Sequence, residues 1–320
     1  MDGKIPTQPL LVSDDKPIPL LGLGTAEFPL GSSPHAQAAI VHAIGLGYRH
    51  FDTASIYHSE NQLGKAVAEA VHLGIIKSRD ELFITSKLWI SDAHGDCVLP
   101  ALRKSLENLG VDYLDLYLIH WPVSLAQGAV PFPICKKDVI PLDIKAVWEA
   151  MEECHRLGLT RNIGVSNFSS VKLEQLLRTA KIPPAVNQVE LNPLWRQEQL
   201  REYCKGKGIH VSGYSPLGGG GTPWGNNRVW ECEELAEIAR ARGKTVAQVC
   251  LRWVMEQGAS TIMKSYNKDR IRENMGVLDW RLREEDLIKI NGIPQCRGCV
   301  GTEFVSETGP YKTLEELWDE

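Results

Sequence analysis

Residues 82–120 read LFITSKLWISDAHGDCVLPALRKSLENLGVDYLDLYLIH. Two short apolar runs, 82–86 closing on Lys87 and 114–119 closing on His120, bracket a stretch over 95–109 whose apolar residues recur at helical spacing. Buried strands separated by a helix are parallel neighbours, because the helix is the crossover that returns the chain to the same edge. One such unit is compatible with many folds, so its repetition decides.

The same form recurs on both sides of that stretch. Ahead of it, the run 20–24 precedes a helical segment over 34–46, and 48–51 closes on Asp52 before a helix over 60–71 that Ser59 and Gln62 would open as a capping box. Beyond it, helices over 144–157, 171–179 and 197–205 are interleaved with further runs. These are 161–165 before Ser166 and Asn167, 185–187 before Gln188, 210–213 before Tyr214 and Ser215, and 260–263 before Lys264 and Ser265. Eight strands of nearly even spacing predict an α/β fold closed as a (β/α)8 TIM barrel, with an open doubly wound sheet as the rival. A small N-terminal hairpin is expected over about 10–20, its strands 10–12 and 18–20 flanking a polar turn at 13–16, as a plug for the barrel's N-terminal end. Loops at 123–141, 217–230 and 296–310 are too long to be connectors and are expected to line the C-terminal mouth, with a C-terminal loop and tail over about 294–320. No linker divides the chain, so residues 1–320 are read as a single barrel domain.

Composition narrows the function. Of 320 residues, 43% are hydrophobic and 23% charged, which excludes a disordered or fibrous chain. A formal charge of −5 argues against binding nucleic acid over a broad surface. Eight cysteines are too sparse for a stapled secreted scaffold, and the lone Cys296-x-x-Cys299 lacks the second pair or histidine that a zinc site needs. No metal is expected, no run reaches the ~18 apolar residues of a membrane span, and a soluble, unprocessed cytoplasmic protein is the expectation. A monomer is favoured.

Asp52, Lys87 and His120 close three successive strands, and Tyr57 follows in the loop after Asp52. Singly, each has an ordinary structural reading as a loop cap, a solvated strand end or a satisfied buried histidine. Together at one barrel mouth they suit acid chemistry on a carbonyl. A phenol with a pKa of about 10 gives up its proton more readily beside an ammonium, a carboxylate would keep that ammonium charged, and a histidine can hold a carbonyl oxygen in line.

Five ordered motifs extend this reading. They are Gly45-Leu-Gly-Tyr48-Arg-His-Phe-Asp52-Thr-Ala-Ser-Ile-Tyr57, Ile84-Thr-Ser-Lys87-Leu-Trp89, Asp115-Leu-Tyr-Leu-Ile-His120-Trp-Pro, Ile163-Gly-Val-Ser-Asn-Phe168, and Ile262-Met-Lys264-Ser265 with Arg270, Glu273 and Asn274. In these motifs the chain resembles the aldo-keto reductase family. It is most similar to the plant branch that includes codeinone reductase, methylecgonone reductase, the polyketide reductase acting with chalcone synthase, and deoxymugineic acid synthase. The resemblance implies hydride transfer from NADPH to a ketone or aldehyde, with Tyr57 as proton donor, Lys87 and Asp52 lowering its pKa, and His120 orienting the substrate. It implies that Thr25 and Asp52 border the cofactor, that Ser166, Asn167 and Gln188 hold the nicotinamide, and that Tyr214 stacks on its ring. Ser215 and Leu217 would follow the pyrophosphate, Lys264, Ser265, Tyr266 and Arg270 the 2′-phosphate, and Asn274 the adenine. Lys264, Lys268, Arg270 and Arg272 also form the one local basic cluster on an acidic chain.

Two other motifs are decoys. Gly22-Leu-Gly24 lacks the third glycine of a dinucleotide turn, because Glu27 stands there, and Tyr203-x-x-x-Lys207 reads as surface helix. A Schiff-base aldolase on Lys87 or Lys264 and a catalytically silent NADPH-binding sensor stay open as alternatives. For the substrate pocket, Ala26 stands where many aldehyde-reducing members carry a tryptophan, and Trp89 and Trp121 remain as apolar walls. The expectation is a bulky ketone of plant specialised metabolism, an alkaloid or polyketide, rather than a short aldehyde.

Overall fold

Eight short strands, each buried along most of its length, build the centre of the molecule. The structure, a computed structural model, describes residues 4–11, 16–31 and 33–320. The strands are β1 (Leu21–Gly24), β2 (His50–Asp52), β3 (Phe83–Leu88), β4 (Leu116–Ile119), β5 (Ile163–Ser166), β6 (Val186–Glu190), β7 (His210–Tyr214) and β8 (Ser260–Lys264). All pair in parallel and in chain order, and β8 returns to β1 to close the barrel. The expected closure is observed, and a helix follows each of the eight strands along the chain. Val98–Leu109 is one of them: Val98, Leu102, Leu106 and Leu109 form a buried stripe at helical spacing, and Gly110 ends the helix in the left-handed conformation.

Several boundaries differ from the sequence reading. β6 runs on to Glu190 and β3 to Leu88, because the strands continue past the polar residues that close their apolar runs. The capping box at Ser59 does not form. Its hydroxyl is drawn inward instead, 2.8 Å from Thr25 Oγ1 and 3.1 Å from Thr53 Oγ1, which ties the loops after β1 and β2 together. The antiparallel hairpin pairs Thr7–Gln8 with Ile18–Pro19, so its first strand lies ahead of the expected 10–12. Leu10 is a plug residue, packed with Ile18 against Phe83, Leu116, Leu118 and Val186 at the barrel's N-terminal end. Val12 and the expected turn residues Ser13, Asp14 and Asp15 lie outside the described residues; beside them, Lys16 donates to Asp115 at 2.8 Å.

At the other end, the long loops carry structure of their own. Val123–Leu125 and Val139–Pro141 pair as an antiparallel ladder, and the segment after β7 contains the short helix Arg228–Glu231. A second apolar cluster fills this mouth, where Trp121 packs on Phe304 at 4.5 Å and on Trp318 at 5.8 Å between ring centres. The tail is pinned by Lys172, which donates to the Leu317 carbonyl and to Asp319.

Candidate active site

The strand register brings the chemistry to one level. Asp52 ends β2 opposite Gly24 of β1 and Thr85 of β3, Lys87 stands opposite Leu118 of β4, and His120 follows β4 with its N–H on the Leu88 carbonyl. Lys87 is 1% exposed, and its ammonium donates to Asp52 Oδ1 at 2.6 Å and to the Thr53 carbonyl at 2.9 Å. Gln188, from the opposite side of the barrel, donates to Asp52 Oδ2 at 2.8 Å. Both carboxylate oxygens are therefore engaged, which a buried charge requires. Tyr57 closes the turn Ser55–Tyr57, with its ring centre 5.0 Å from the Lys87 ammonium and its hydroxyl 3.2 Å from His120 Nε2.

The electrostatics correct one expectation. Burial, reinforced by the Asp52 carboxylate and by Cys299, holds the Tyr57 phenol well above its ordinary pKa rather than below it. Burial is the largest cause, and the Asp52 carboxylate, which holds the Lys87 ammonium at 2.6 Å, adds to it. Burial also lowers the Lys87 pKa against the pull of Asp52. Burial, with the Lys87 charge adding to it, pushes His120 well below the ordinary histidine value, so its imidazole is neutral at pH 7. Tyr57 is a protonated phenol there, and His120 Nδ1 is buried without a partner among the described residues.

Asp52, Tyr57, His120 and Gln188 form the floor of a cavity of about 830 Å3 that runs across the barrel mouth. Of all the residues expected at the site, only Thr25, Lys87 and Tyr266 do not line it. Lys87 is screened by Asp52. Thr25 bonds inward to Ser59 and to the Asp52 carbonyl, so its hydroxyl does not face a ligand. Tyr266 donates to the Thr25 carbonyl at 3.1 Å and lies under the Lys264 ammonium, 4.2 Å from ring centre to nitrogen.

Along the cavity wall, Asn167 is held in the left-handed conformation at φ 62°. Its amide donates to the His120 carbonyl and to Ser166 Oγ, its carbonyl accepts from Tyr214 at 2.7 Å, and Ser166 donates to the Gln188 carbonyl. Such a network fixes polar groups before any ligand arrives. Ser215, at φ 47°, and Leu217 start the loop that borders the cavity's far half. There the helix Lys268–Met275, capped by the Asn267 side chain, carries Arg270 and Asn274, and Asn274 donates to Met263 Sδ at 3.1 Å. Ala26 also lines the cavity, and Trp89 and Trp121 line it beside Tyr57 and His120, Trp89 being fixed by donation to the Pro131 carbonyl at 3.0 Å.

The profile of the Aldo/keto reductase family matches residues 20–294, from the first barrel strand to the start of the C-terminal loop. The chain belongs to this family. It is 60% identical over 302 residues to the 7-acetyl-epi-neemfruitin B aldo-keto reductase of Melia azedarach, covering 94% of this chain and 93% of that one. It is 57% identical over 319 residues to the (1S)-1,7-diacetoxy-luvungin A aldo-keto reductase of Citrus sinensis, covering 100% and 99%. It is also 56% identical over 303 residues to an NADPH-dependent codeinone reductase of Papaver somniferum, covering 95% and 94%. Among solved structures it is similar to a Bombyx mori aldo-keto reductase in complex with NADP, at 36% identity and a TM-score of 0.78 over 91% of this chain and 94% of that one. The protein is an oxidoreductase of the aldo-keto reductase type.

In this aldo-keto reductase the structure adds residues that the sequence reading passed over. Glu27 lines the cavity and pairs with Lys264, and Phe28 meets Trp224 edge-on across its mouth at 6.1 Å. Glu190, the last residue of β6, is buried and accepts the N–H groups of Gly298 at 2.9 Å and Cys299 at 2.8 Å, fixing the loop that carries Cys299 into the cavity. A Cβ added at Gly298 would run into the Glu190 carboxylate. The length of the 296–310 loop was the only signal for this contact. Cys296 lies against Arg228, Cys299 is buried, and among the described residues no group of side chains could hold a metal ion. The decoy pair behaves as surface helix, since Tyr203 and Lys207 both bond Glu174.

Proposed function

We propose that this aldo-keto reductase uses NADPH to reduce a bulky ketone of plant specialised metabolism to the alcohol. The observation that carries the reading is the linked array in which Gln188, Asp52 and Lys87 back the Tyr57–His120 pair on the floor of one large cavity.

The residues present fit that cofactor. The cavity has a cationic end at Lys264 and Arg270, an aromatic face at Tyr214, and pre-bonded amide and hydroxyl groups at Ser166, Asn167 and Gln188 beside the acid. Lys264, Ser265 and Arg270 would hold the 2′-phosphate, Ser215 and Leu217 the pyrophosphate, Asn274 the adenine, and the Ser166–Asn167–Gln188–Tyr214 group the nicotinamide. Bound there, the nicotinamide supplies a hydride to the carbonyl carbon.

The chain's own groups do the rest. Tyr57 and His120 Nε2 converge where a carbonyl oxygen would sit. A high phenol pKa keeps Tyr57 protonated in the resting site, and its proton passes to the oxygen as negative charge grows there. The Lys87 ammonium, 5.0 Å from the ring centre, then stabilises the phenolate left behind. Neutral His120 aligns the carbonyl without competing as an acid. The aldolase alternative on Lys87 loses support, because Lys87 is committed to Asp52 and Thr53 and does not face the cavity.

On the substrate side, Ala26 leaves the wall open and Trp121 is braced by Phe304 and Trp318, which favours a large rigid molecule. The relatives named for neemfruitin, luvungin and codeinone support a plant specialised metabolite. Eight unpaired thiols support a reducing, cytoplasmic setting. The test is a panel of ketones and aldehydes of graded size, followed as NADPH or NADH oxidation. Turnover is expected to be best with NADPH and a polycyclic ketone, and no oxidation with any carbonyl would leave the silent-sensor reading instead.

A further inference from the structure

The cationic end of the cavity contains a residue that works against it. Glu27 Oε2 lies 3.3 Å from the Lys264 ammonium, while Glu27 Oε1 accepts the Ser33 N–H at 2.6 Å. The second bond anchors the carboxylate, so it stays in place when Lys264 turns to another partner. Lys264 itself rests on the Tyr266 ring, and Tyr266 is tied to the Thr25 carbonyl just after β1. Glu27, Lys264, Ser265 and Arg270 all line the same cavity, and among the described residues Arg270 has no ion-pair partner.

We propose that Glu27 is a specificity-determining residue that restrains the preference for NADPH over NADH, by occupying Lys264 and by fixing a negative charge beside the 2′-phosphate site. The inference rests on the reading of Lys264 and Arg270 as the phosphate clasp. A 2′-phosphate must take Lys264 from Glu27 and then sit near an anchored carboxylate, whereas a 2′-hydroxyl can donate to that same carboxylate. The net preference is therefore smaller than Lys264 and Arg270 would give alone.

The test measures dissociation constants for NADPH and NADH by quenching of protein fluorescence, in the wild type, Glu27→Gln and Lys264→Met. Glutamine keeps the shape and can still accept from Ser33, so the loop is expected to fold. The ratio Kd(NADH)/Kd(NADPH) should rise about three- to tenfold in Glu27→Gln, and the gain should shrink as salt is raised to about 0.5 M. A ratio that is unmoved or lower in Glu27→Gln overturns the inference, the lower value meaning that Glu27 pre-orients Lys264 for phosphate. Lys264→Met separates the two levels of the argument. If it leaves the ratio in place, the clasp reading fails and takes the Glu27 inference with it. If it collapses the ratio while Glu27→Gln does not raise it, only Glu27 is misread.

Discussion

The two ends of the cavity are built on opposite electrostatic terms. At the floor, Lys87 and Asp52 are buried together, each charge is closed by hydrogen bonds, and Asp52, Lys87 and Gln188 all stand on barrel strands. At the far end, Lys264 is about a third exposed, and Arg270 sits on a short helix facing water. Burial makes the first set strong, rigid and insensitive to salt, and it sets proton affinities. Exposure makes the second set exchangeable and screened, so it sets which anion binds and how tightly. Chemistry belongs to the first end and cofactor choice to the second.

Breaking the buried end should have the largest effect. Lys87→Met leaves Asp52 as an uncompensated buried charge, which should lower stability by ~3–5 kcal/mol and reduce turnover of the folded fraction by ~10²–10⁴. Thermal unfolding and steady-state kinetics read the two losses separately, and a change in affinity for NADPH with turnover intact would place Lys87 on the wrong side of the comparison. At the exposed end, Arg270→Met should weaken NADPH by roughly ten- to a hundredfold, as for loss of a charge-assisted bond, and affect NADH far less. The defect should diminish at high salt, and equal weakening of both cofactors would remove Arg270 from the 2′-phosphate. The smallest effect is on the substrate wall. Ala26→Trp should shift the ratio of kcat/KM between a polycyclic ketone and a benzaldehyde by roughly tenfold towards the aldehyde. An unchanged ratio would mean that Ala26 does not set the pocket's size.

The same division explains what could be read from sequence. The barrel and the positions of Asp52, Lys87 and His120 were legible, because strands with period-free apolar runs end at one level and their closing residues stand out against them. The direction of the Tyr57 pKa was not, because it depends first on how fully the phenol is buried and then on the Asp52 and Cys299 side chains near it, which only the folded site fixes. Ser59 was misread for a related reason: its local capping pattern lost to Thr53 in the preceding loop and to Thr25 on the neighbouring strand end, a meeting that only the fold brings about. Thr25 was placed beside the cofactor by the family resemblance, and its hydroxyl donates to the Asp52 carbonyl. Glu27, Glu190 and Phe28 lacked any pattern because their partners, Lys264, the 298–299 backbone and Trp224, lie 100 to 240 residues away or on loops without periodicity.

The central claim is that the buried floor moves a proton through Tyr57, and Tyr57→Phe tests it with the ring and the packing retained. Fluorescence titration should show NADPH bound with near wild-type affinity, while single-turnover oxidation of that NADPH by the preferred ketone falls by ~10²–10⁴. Single-turnover reduction at a near-normal rate in Tyr57→Phe would contradict the account, since the phenol hydroxyl would then not be the acid that the floor of the cavity is built around.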